Sequence, residues 1–236
     1  MIRGNSLSFR GNSFINIMAK VTWAGQSCFQ ISSTIGKDNQ VSVVIDPFDE
    51  KIGLKQPNFE ADVVLITHDH HDHNNIKALK GSPFLVEGPG EYEIKGVFIK
   101  GIDSYHDDSE GKDRGANTIY TIETDEVRFC HLGDLGQKQL TDEQVEKIGS
   151  VDVLMIPVGG GYTIDGHEAV KIIGQIEPKI VIPMHYDIPK LTVKLEGVDV
   201  FLKSIGKNAI EPQDKLMVKA SLLSKEGGME VVVLKA

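Results

Sequence analysis

The sequence of 236 residues predicts an α/β fold in which two mixed β-sheets are flanked by helices. Short runs rich in β-branched residues dominate the first half, and in the second half such runs alternate with helical segments. No Gly-x-Gly-x-x-Gly motif follows the first strand, which argues against a dinucleotide-binding fold with one doubly wound sheet. Since no repeat or low-complexity linker divides the chain, we expect one domain over residues 18–236.

The strands of the first half are short apolar or alternating runs bounded by glycine or by polar turn residues. They are predicted at Val21–Trp23, Cys28–Ser33, Val41–Ile45, Val63–Thr67, Phe84–Glu87, Val97–Gly101, Thr118–Glu123 and Val127–Cys130. Val63–Ile66 is wholly apolar, as expected of a strand that is covered on both faces. A short helix is predicted over Asn75–Lys80, and a tight turn over Gly88–Tyr92.

Helices appear in the second half. Thr141 and Gln144 form a capping-box pattern, which predicts a helix that ends near Gly149. A second helix is predicted from Asp165 to about Ile176. Strands are predicted at Val151–Ile156, Lys179–Pro183, Val198–Leu202 and Glu230–Leu234.

Composition narrows the class of protein. The chain has 25 basic and 34 acidic residues, a net charge of −9, which argues against a protein that coats nucleic acid. Two distant cysteines, Cys28 and Cys130, exclude a disulfide framework, and we expect both to be buried and reduced. No apolar run approaches the ~20 residues of a membrane span. A cytoplasmic protein without a membrane partner is expected.

Residues 1–17 differ from the rest of the chain. They contain Arg3 and Arg10 but no acidic residue, and they precede a second methionine, Met18. They lack the apolar core of a secretory signal, although a transit peptide has a similar composition. We interpret them as a disordered N-terminal extension.

A histidine cluster is the strongest chemical signal. Residues 67–73 read Thr-His-Asp-His-His-Asp-His, so that four of the eight histidines lie within six positions directly after the apolar strand. Such a loop holds several side chains around one point. Because imidazole and carboxylate groups bind Zn²⁺, Mn²⁺ and iron, the cluster predicts a metal site.

The motif His68-x-His70-x-Asp72-His73 resembles the signature of the metallo-β-lactamase superfamily. Val21–Phe29 resembles the first hairpin of that family, and Val44–Pro47 resembles its strand that ends in an aspartate. The resemblance extends from about Lys20 onward. It implies an αββα sandwich with one or two metal ions at one edge. Pro183–Tyr186 and the His-Leu-Gly-Asp sequence at residues 131–134 resemble the compact metal-dependent hydrolases of the ascorbate-phosphate lactonase and N-acyl phosphatidylethanolamine phosphodiesterase branch.

The resemblance also implies the remaining ligands, His106, Asp134 and His185, each at or near the end of a predicted strand. In the implied arrangement His68, His70 and His106 bind one ion, and Asp72, His73 and His185 bind the second. Asp134 lies between the two ions. Asp134 and Asp72 are then catalytic candidates. His131 is an acid/base candidate and also an alternative to His106 as a ligand.

Two further features have open interpretations, and two histidines remain unassigned. Asp46 is either an acceptor for the second N–H of a ligand histidine or a turn residue before Pro47. The loop Gly159–Thr163 either meets an anionic substrate group or is a flexible turn. His71 and His167 match no ligand position, and we expect both to be exposed.

The expected function is hydrolysis of a small ester, lactone or phosphodiester by a metal-bound hydroxide at a dinuclear site. Zn²⁺ is the preferred metal, with Mn²⁺ and Fe²⁺ as alternatives. The expected substrate is a small molecule, and the net negative charge of the protein does not exclude an anionic one. No long insertion covers the predicted site, so a contact between two copies of the chain is one way to complete the pocket. The alternative is a sensor, redox or assembly protein that binds metal on the same fold without hydrolysis.

Overall fold

The computed structural model describes residues 18–36, 39–223 and 228–236, and within them it has thirteen strands and three α-helices. The prediction for residues 1–17 lies outside the described residues. The strands are β1 (Ala19–Gly25), β2 (Cys28–Ile35), β3 (Asn39–Ile45), β4 (Val63–Ile66), β5 (Phe84–Glu87), β6 (Gly90–Ile94), β7 (Val97–Tyr105), β8 (Ala116–Thr124), β9 (Val127–His131), β10 (Val153–Pro157), β11 (Ile180–Met184), β12 (Leu216–Val218) and β13 (Glu230–Val231). The helices are α1 (Asp142–Ile148), α2 (Gly166–Ile176) and α3 (Val198–Ser204).

Two mixed sheets pack face to face, as the sequence predicts. The first has the order β12-β1-β2-β3-β4-β5, and the second has the order β13-β11-β10-β9-β8-β7-β6. Apolar side chains from both sheets fill the space between them, including Phe29, Leu65, Ile119 and Phe129. Cys28 and Cys130 are free and buried, as predicted.

The two outer layers differ. Helices α1 and α2 contact strands of the second sheet, and α3 packs on α2. Beside the first sheet, a smaller apolar cluster forms around Val44, Phe48 and Ile52, and a 3₁₀ turn at Glu50–Ile52 belongs to it.

The predicted strand at Val198–Leu202 is wrong, because this segment is helix α3. Its buried and half-buried apolar residues are Val198, Phe201, Leu202 and Ile205. They recur at helical spacing, whereas the alternation of valine with aspartate at residues 198–200 imitates a strand.

Other differences concern short elements. The region predicted as a turn at Gly88–Tyr92 contains the start of β6, which pairs with β7 through a turn at Lys95 and Gly96. Strand β12 was not predicted, and β13 is shorter than the predicted run. The predicted helix at Asn75–Lys80 is a 3₁₀ turn at Ile76–Ala78. Among the described residues, no helix is both long and apolar enough to cross a membrane.

Strand direction brings several chain segments to one edge of the sandwich. Strands β3 and β4 are parallel, and so are β9, β10 and β11. Strand β7 runs in the same direction as β9, because β8 is antiparallel to both. The Thr118 N–H donates to Thr67 O at 2.9 Å and the His185 N–H donates to Gln26 O at 3.1 Å, which ties the two sheets together there.

Candidate metal centre

The candidate ligands follow the carboxyl ends of β4, β7, β9 and β11. The loop after β4 provides His68, His70, Asp72 and His73, and the second sheet provides His106, Asp134 and His185. All seven side chains therefore meet at the edge where the two sheets are tied together.

His68 is oriented by the residue before it. Its Nδ1 lies 3.0 Å from Thr67 Oγ1, and that hydroxyl donates its own proton to Asp46 Oδ2 at 2.7 Å. The hydroxyl oxygen therefore accepts from Nδ1–H, and the lone pair of His68 lies on Nε2. This Nε2 is buried and has no hydrogen-bond partner among the described residues. Burial, reinforced by His73, lowers the pKa of His68 to about 2, so that the ring is a neutral donor.

His73 is held by a buried carboxylate. Its Nδ1 lies 2.9 Å from Asp46 Oδ2, and the Thr67 N–H donates to Asp46 Oδ1 at 2.8 Å. Of the two interpretations of Asp46, the geometry supports the acceptor. Burial opposes protonation of His73, but the charges of Asp134 and Asp46 hold its pKa well above the ordinary value. The two carboxylates therefore favour positive charge at this position.

Asp134 is the point at which three imidazoles converge. Its Oδ2 lies 3.2 Å from Nε2 of His73, 3.2 Å from Nε2 of His185 and 3.5 Å from Nε2 of His106. Ser27 Oγ donates to its other oxygen at 3.0 Å. Burial disfavours the charged carboxylate, but His185 and His73 hold the pKa of Asp134 well below its usual range.

The donor atoms form two overlapping groups. His68, His70 and His106 form one, and His68, His73 and Asp134 form the other, with the donor atoms of each group within 4.8 Å of one another. Asp72 approaches the second group, because its Oδ2 lies 3.6 Å from His73 Nε2. Gln26 Nε2 donates to the same oxygen at 3.1 Å. The chemistry of this donor set fits divalent cations that prefer nitrogen and oxygen ligands.

A family model described as a beta-lactamase superfamily domain matches residues 20–185, a span that contains all seven candidate ligands. The chain belongs to the metallo-β-lactamase superfamily. The resemblance of the histidine motif is thereby confirmed, and so is the αββα sandwich that it implies.

Relatives of this superfamily member are similar over most of its length. A metal-dependent hydrolase of Thermococcus onnurineus is 30% identical and the match covers 81% of this chain and 94% of the relative. One from Thermoplasma volcanium is 32% identical, with 71% and 83% covered. A crystal structure from Thermotoga maritima, assigned to Zn-dependent hydrolases of this superfamily, is 36% identical. It has a TM-score of 0.70 and covers 92% of this chain and 100% of its own.

His131 is fully buried beside the metal-binding edge of this superfamily member, but both of its ring nitrogens are occupied. Nε2 lies 2.9 Å from the carbonyl oxygen of Ser27, and Nδ1 accepts from the Gly133 N–H at 3.0 Å. Neither nitrogen is left for a metal or for proton transfer. The geometry therefore supports His106 over His131 as the ligand and gives no support to an acid/base role for His131.

The other two histidines lie outside the donor groups. His71 is 71% exposed at the side chain, and its Nδ1 lies 3.8 Å from Asp72 Oδ1. His167 is at the start of α2 and lies 3.0 Å from Ser204 Oγ. Both are exposed, as expected.

Of the two interpretations of the glycine loop, contact with an anionic group receives little support, because most of its N–H groups bond within the protein. The N–H groups of Gly159, Gly160 and Tyr162 donate to carbonyl oxygens of the protein. The Asp165 carboxylate caps the N-terminus of α2. A Cβ at Gly159 would lie 2.2 Å from His185 O, so the absence of a side chain permits this close approach.

Supporting residues were not identified from the sequence. Ser27 and Gln26 come from the turn between β1 and β2, and Asn117 Oδ1 accepts from the Asp134 N–H at 3.0 Å. The sequence signal was weak, because these are ordinary polar residues in or beside strands. Gln26, Asp46 and His185 share a further property, since they have positive φ angles of 51°, 48° and 51°. Such conformations are uncommon outside glycine and cluster at functional sites.

The candidate ligands open into a cavity of about 600 Å³. Five of the candidate ligands line it: His70, Asp72, His106, Asp134 and His185. Arg114, Tyr162 and Lys194 line it as well. Its volume suits a small molecule.

Proposed function

We propose that this metal-dependent hydrolase holds two divalent cations, with Zn²⁺ preferred, and cleaves a small ester, lactone or phosphodiester. One observation carries the proposal: a single oxygen of Asp134 lies within 3.5 Å of imidazole nitrogens from both predicted ligand sets. A buried carboxylate in that position suits a bridge between two cations.

The two proposed ligand sets are those implied by the family resemblance, and the grouping of His68, His70 and His106 supports the first of them. His68, His70 and His106 would hold one cation, and Asp72, His73 and His185 would hold the other. Five imidazoles and two carboxylates suit Zn²⁺, and also Mn²⁺ or Fe²⁺. When bound, a pair of cations supplies a nucleophile derived from water at neutral pH and positive charge for the developing oxyanion.

The protein side chains orient these donors. Asp46 and Thr67 set the ring positions of His73 and His68, and Ser27 fixes the Asp134 carboxylate. Neither cysteine is available as a nucleophile, because Cys28 and Cys130 are buried, and burial raises the pKa of both thiols. This removes both thiols as covalent nucleophiles and is compatible with attack by a nucleophile that originates from water.

Metal removal and an Asp134 variant test the proposal together. The purified protein is stripped with a chelator, reloaded with Zn²⁺, Mn²⁺ or Fe²⁺, and analysed for metal content. Turnover is measured on p-nitrophenyl esters, bis(p-nitrophenyl) phosphate, lactones and thioesters. We expect about two ions per chain and metal-dependent turnover of at least one class. Asp134→Asn should lower kcat/KM by about 10³-fold or more, because a neutral amide does not bridge two cations.

Asp152→Asn is the matched control. Asp152 is a half-buried carboxylate that precedes β10 at the opposite edge of the sheet, where it pairs with Lys179 at 2.7 Å. Its loss should leave metal content and turnover unchanged. Near-wild-type turnover by Asp134→Asn would contradict the mechanism. A fully loaded protein that hydrolyses none of these compounds would favour a metal-binding role without hydrolysis.

A further inference from the structure

Two basic side chains line the cavity together with the candidate ligands. Arg114 follows the loop after His106, and Lys194 lies in the segment between β11 and α3. The carboxylates of Asp72 and Asp134 line the same cavity, but both belong to the candidate ligands, whereas the two basic groups do not.

Arg114 is held from two directions. Its guanidinium carbon lies 4.5 Å from the centre of the Tyr162 ring, which is a cation–π contact. Its backbone N–H donates to Asp107 Oδ2 at 2.8 Å. Stacking restricts the position of the guanidinium group while its N–H groups, which lie in the plane, stay available for hydrogen bonds.

Asp107 organises the whole loop that carries Arg114. Its carboxylate accepts hydrogen bonds from the N–H groups of Ser109, Gly111, Asp113 and Arg114, and from Ser109 Oγ. Asp107 directly follows the candidate ligand His106, whose own N–H donates to Gly115 O at 3.1 Å. The loop thus connects the position of Arg114 to the metal-binding edge through one short segment.

Arg114 and Lys194 have no counter-ion in the part of the chain that the structure describes, since no carboxylate there lies within 4.0 Å of either cationic group. Their neighbours differ. Lys112 pairs with Glu110 at 3.5 Å, and Lys138 pairs with Asp108 at 3.2 Å. Cationic groups that line a cavity and are not paired with a carboxylate suit an anionic ligand.

We propose that Arg114, with Lys194, recognises an oxyanion of the substrate, a carboxylate or phosphate group, away from the bond that is cleaved. The inference rests on the proposed function for the position of that bond. On this proposal Arg114 determines specificity, and Tyr162 and Asp107 position Arg114. A guanidinium group binds two oxygens of a carboxylate or a phosphate at once, whereas Lys194 adds a single point of positive charge.

Equilibrium binding tests the proposal without turnover. The probes are three anilides with acyl chains of equal length. They differ only in the group on the terminal carbon of that chain, which is hydrogen, a carboxylate or a phosphate. Their affinities for the Zn²⁺-loaded protein are measured by calorimetry. We expect at least one of the two anionic probes to bind about tenfold more tightly than the neutral probe, and Arg114→Gln to abolish this ratio. The stronger of the two anionic probes identifies the group that is recognised.

Three variants complete the design. Lys112→Gln removes one positive charge from the same loop, away from the cavity, and should retain the full ratio. Arg114→Lys keeps the charge without the planar pair of donors, and should retain part of the ratio. Lys194→Gln should reduce it by a smaller factor than Arg114→Gln.

Three results would overturn the proposal: equal binding of all three probes, no binding of any probe, or an unchanged ratio in Arg114→Gln. The last would mean that the anion binds elsewhere, including at the metal ions. The p-nitrophenyl esters report separately on the proposed function. Selective binding that depends on Arg114, combined with no hydrolysis, would refute the hydrolytic mechanism and leave the anion site in place.

Discussion

The two sheets contribute to the metal centre in different ways. The first sheet supplies four candidate ligands from a single loop after β4, within residues 68–73. The second sheet supplies three, and each follows a different strand. The burial of the two groups also differs, since His106, Asp134 and His185 are all at most 2% exposed, whereas the first group extends from the fully buried His73 to the exposed His70.

The two groups of ligands reach the metal centre for different reasons, one through the local chain and the other through the topology of the sheet. A loop that leaves one strand places neighbouring residues together whatever the rest of the chain does. The three ligands of the second sheet meet only because β7, β9 and β11 end at the same edge. The ring nitrogens of both groups converge on Asp134, so that this carboxylate depends on both sheets.

Alanine variants of two histidines give the largest expected contrast within the second sheet. His106→Ala should lose about one metal ion per chain, because His106 Nε2 faces Asp134 and lies near His68 and His70. His131→Ala should keep its metal, because both nitrogens of His131 are already occupied by the backbone. It should instead lose about 2–4 kcal/mol of stability from a cavity and two unpaired buried groups. Metal analysis and chemical denaturation measure the two effects.

The opposite pattern, with metal lost only from His131→Ala, would break this assignment. The two residues would then have exchanged roles, and the backbone contacts of His131 would not describe the loaded protein.

Much of the fold was predictable because apolar periodicity records burial. Strand β4 and helix α2 were predicted close to their observed bounds, and the capping box predicted at Thr141 and Gln144 begins helix α1. Helix α3 was misassigned, since its valines lie at residues 198 and 200 while its helical face becomes visible only with Phe201 and Ile205. Strand β6 was not predicted, because half-buried edge residues have no continuous apolar run.

The site was predictable to the extent that residue type reveals chemistry. Clustered histidines indicate a metal, and the family resemblance supplied the isolated ligands. Residues that position another group through a hydrogen bond or a stacking contact are not revealed by their residue type. Asn117 is one polar residue of a buried strand, and only the folded chain places its amide oxygen beside the Asp134 N–H. Arg114 is equally inconspicuous until Tyr162, far along the chain, provides the surface on which it stacks.

Asp46→Asn tests the support on the first sheet. Asp46 adopts a positive φ angle that asparagine tolerates, so the backbone should be preserved. The amide replaces one charged acceptor, which weakens the hold on His73 and Thr67. Metal affinity should fall about 10–100-fold, the usual effect of removing a partner of a ligand histidine. Competition with a fluorescent chelator measures it, and an unchanged affinity would show that His73 needs no fixed orientation.

Ser27→Ala tests one hydrogen bond that links the two sheets at the metal centre. Ser27 lies in the β1–β2 turn of the first sheet, and its hydroxyl donates to Asp134 of the second at 3.0 Å. Its loss removes one hydrogen bond from a charged, buried acceptor, so we expect metal affinity to fall by up to about tenfold. Ser33→Ala is the matched control, because Ser33 is also buried and its hydroxyl lies 2.7 Å from Thr124 Oγ1, in a contact that includes none of the candidate ligands. Both variants should lose similar stability in denaturation, but only Ser27→Ala should bind metal more weakly. Equal metal affinity in the two variants would mean that the imidazoles alone hold Asp134 in place.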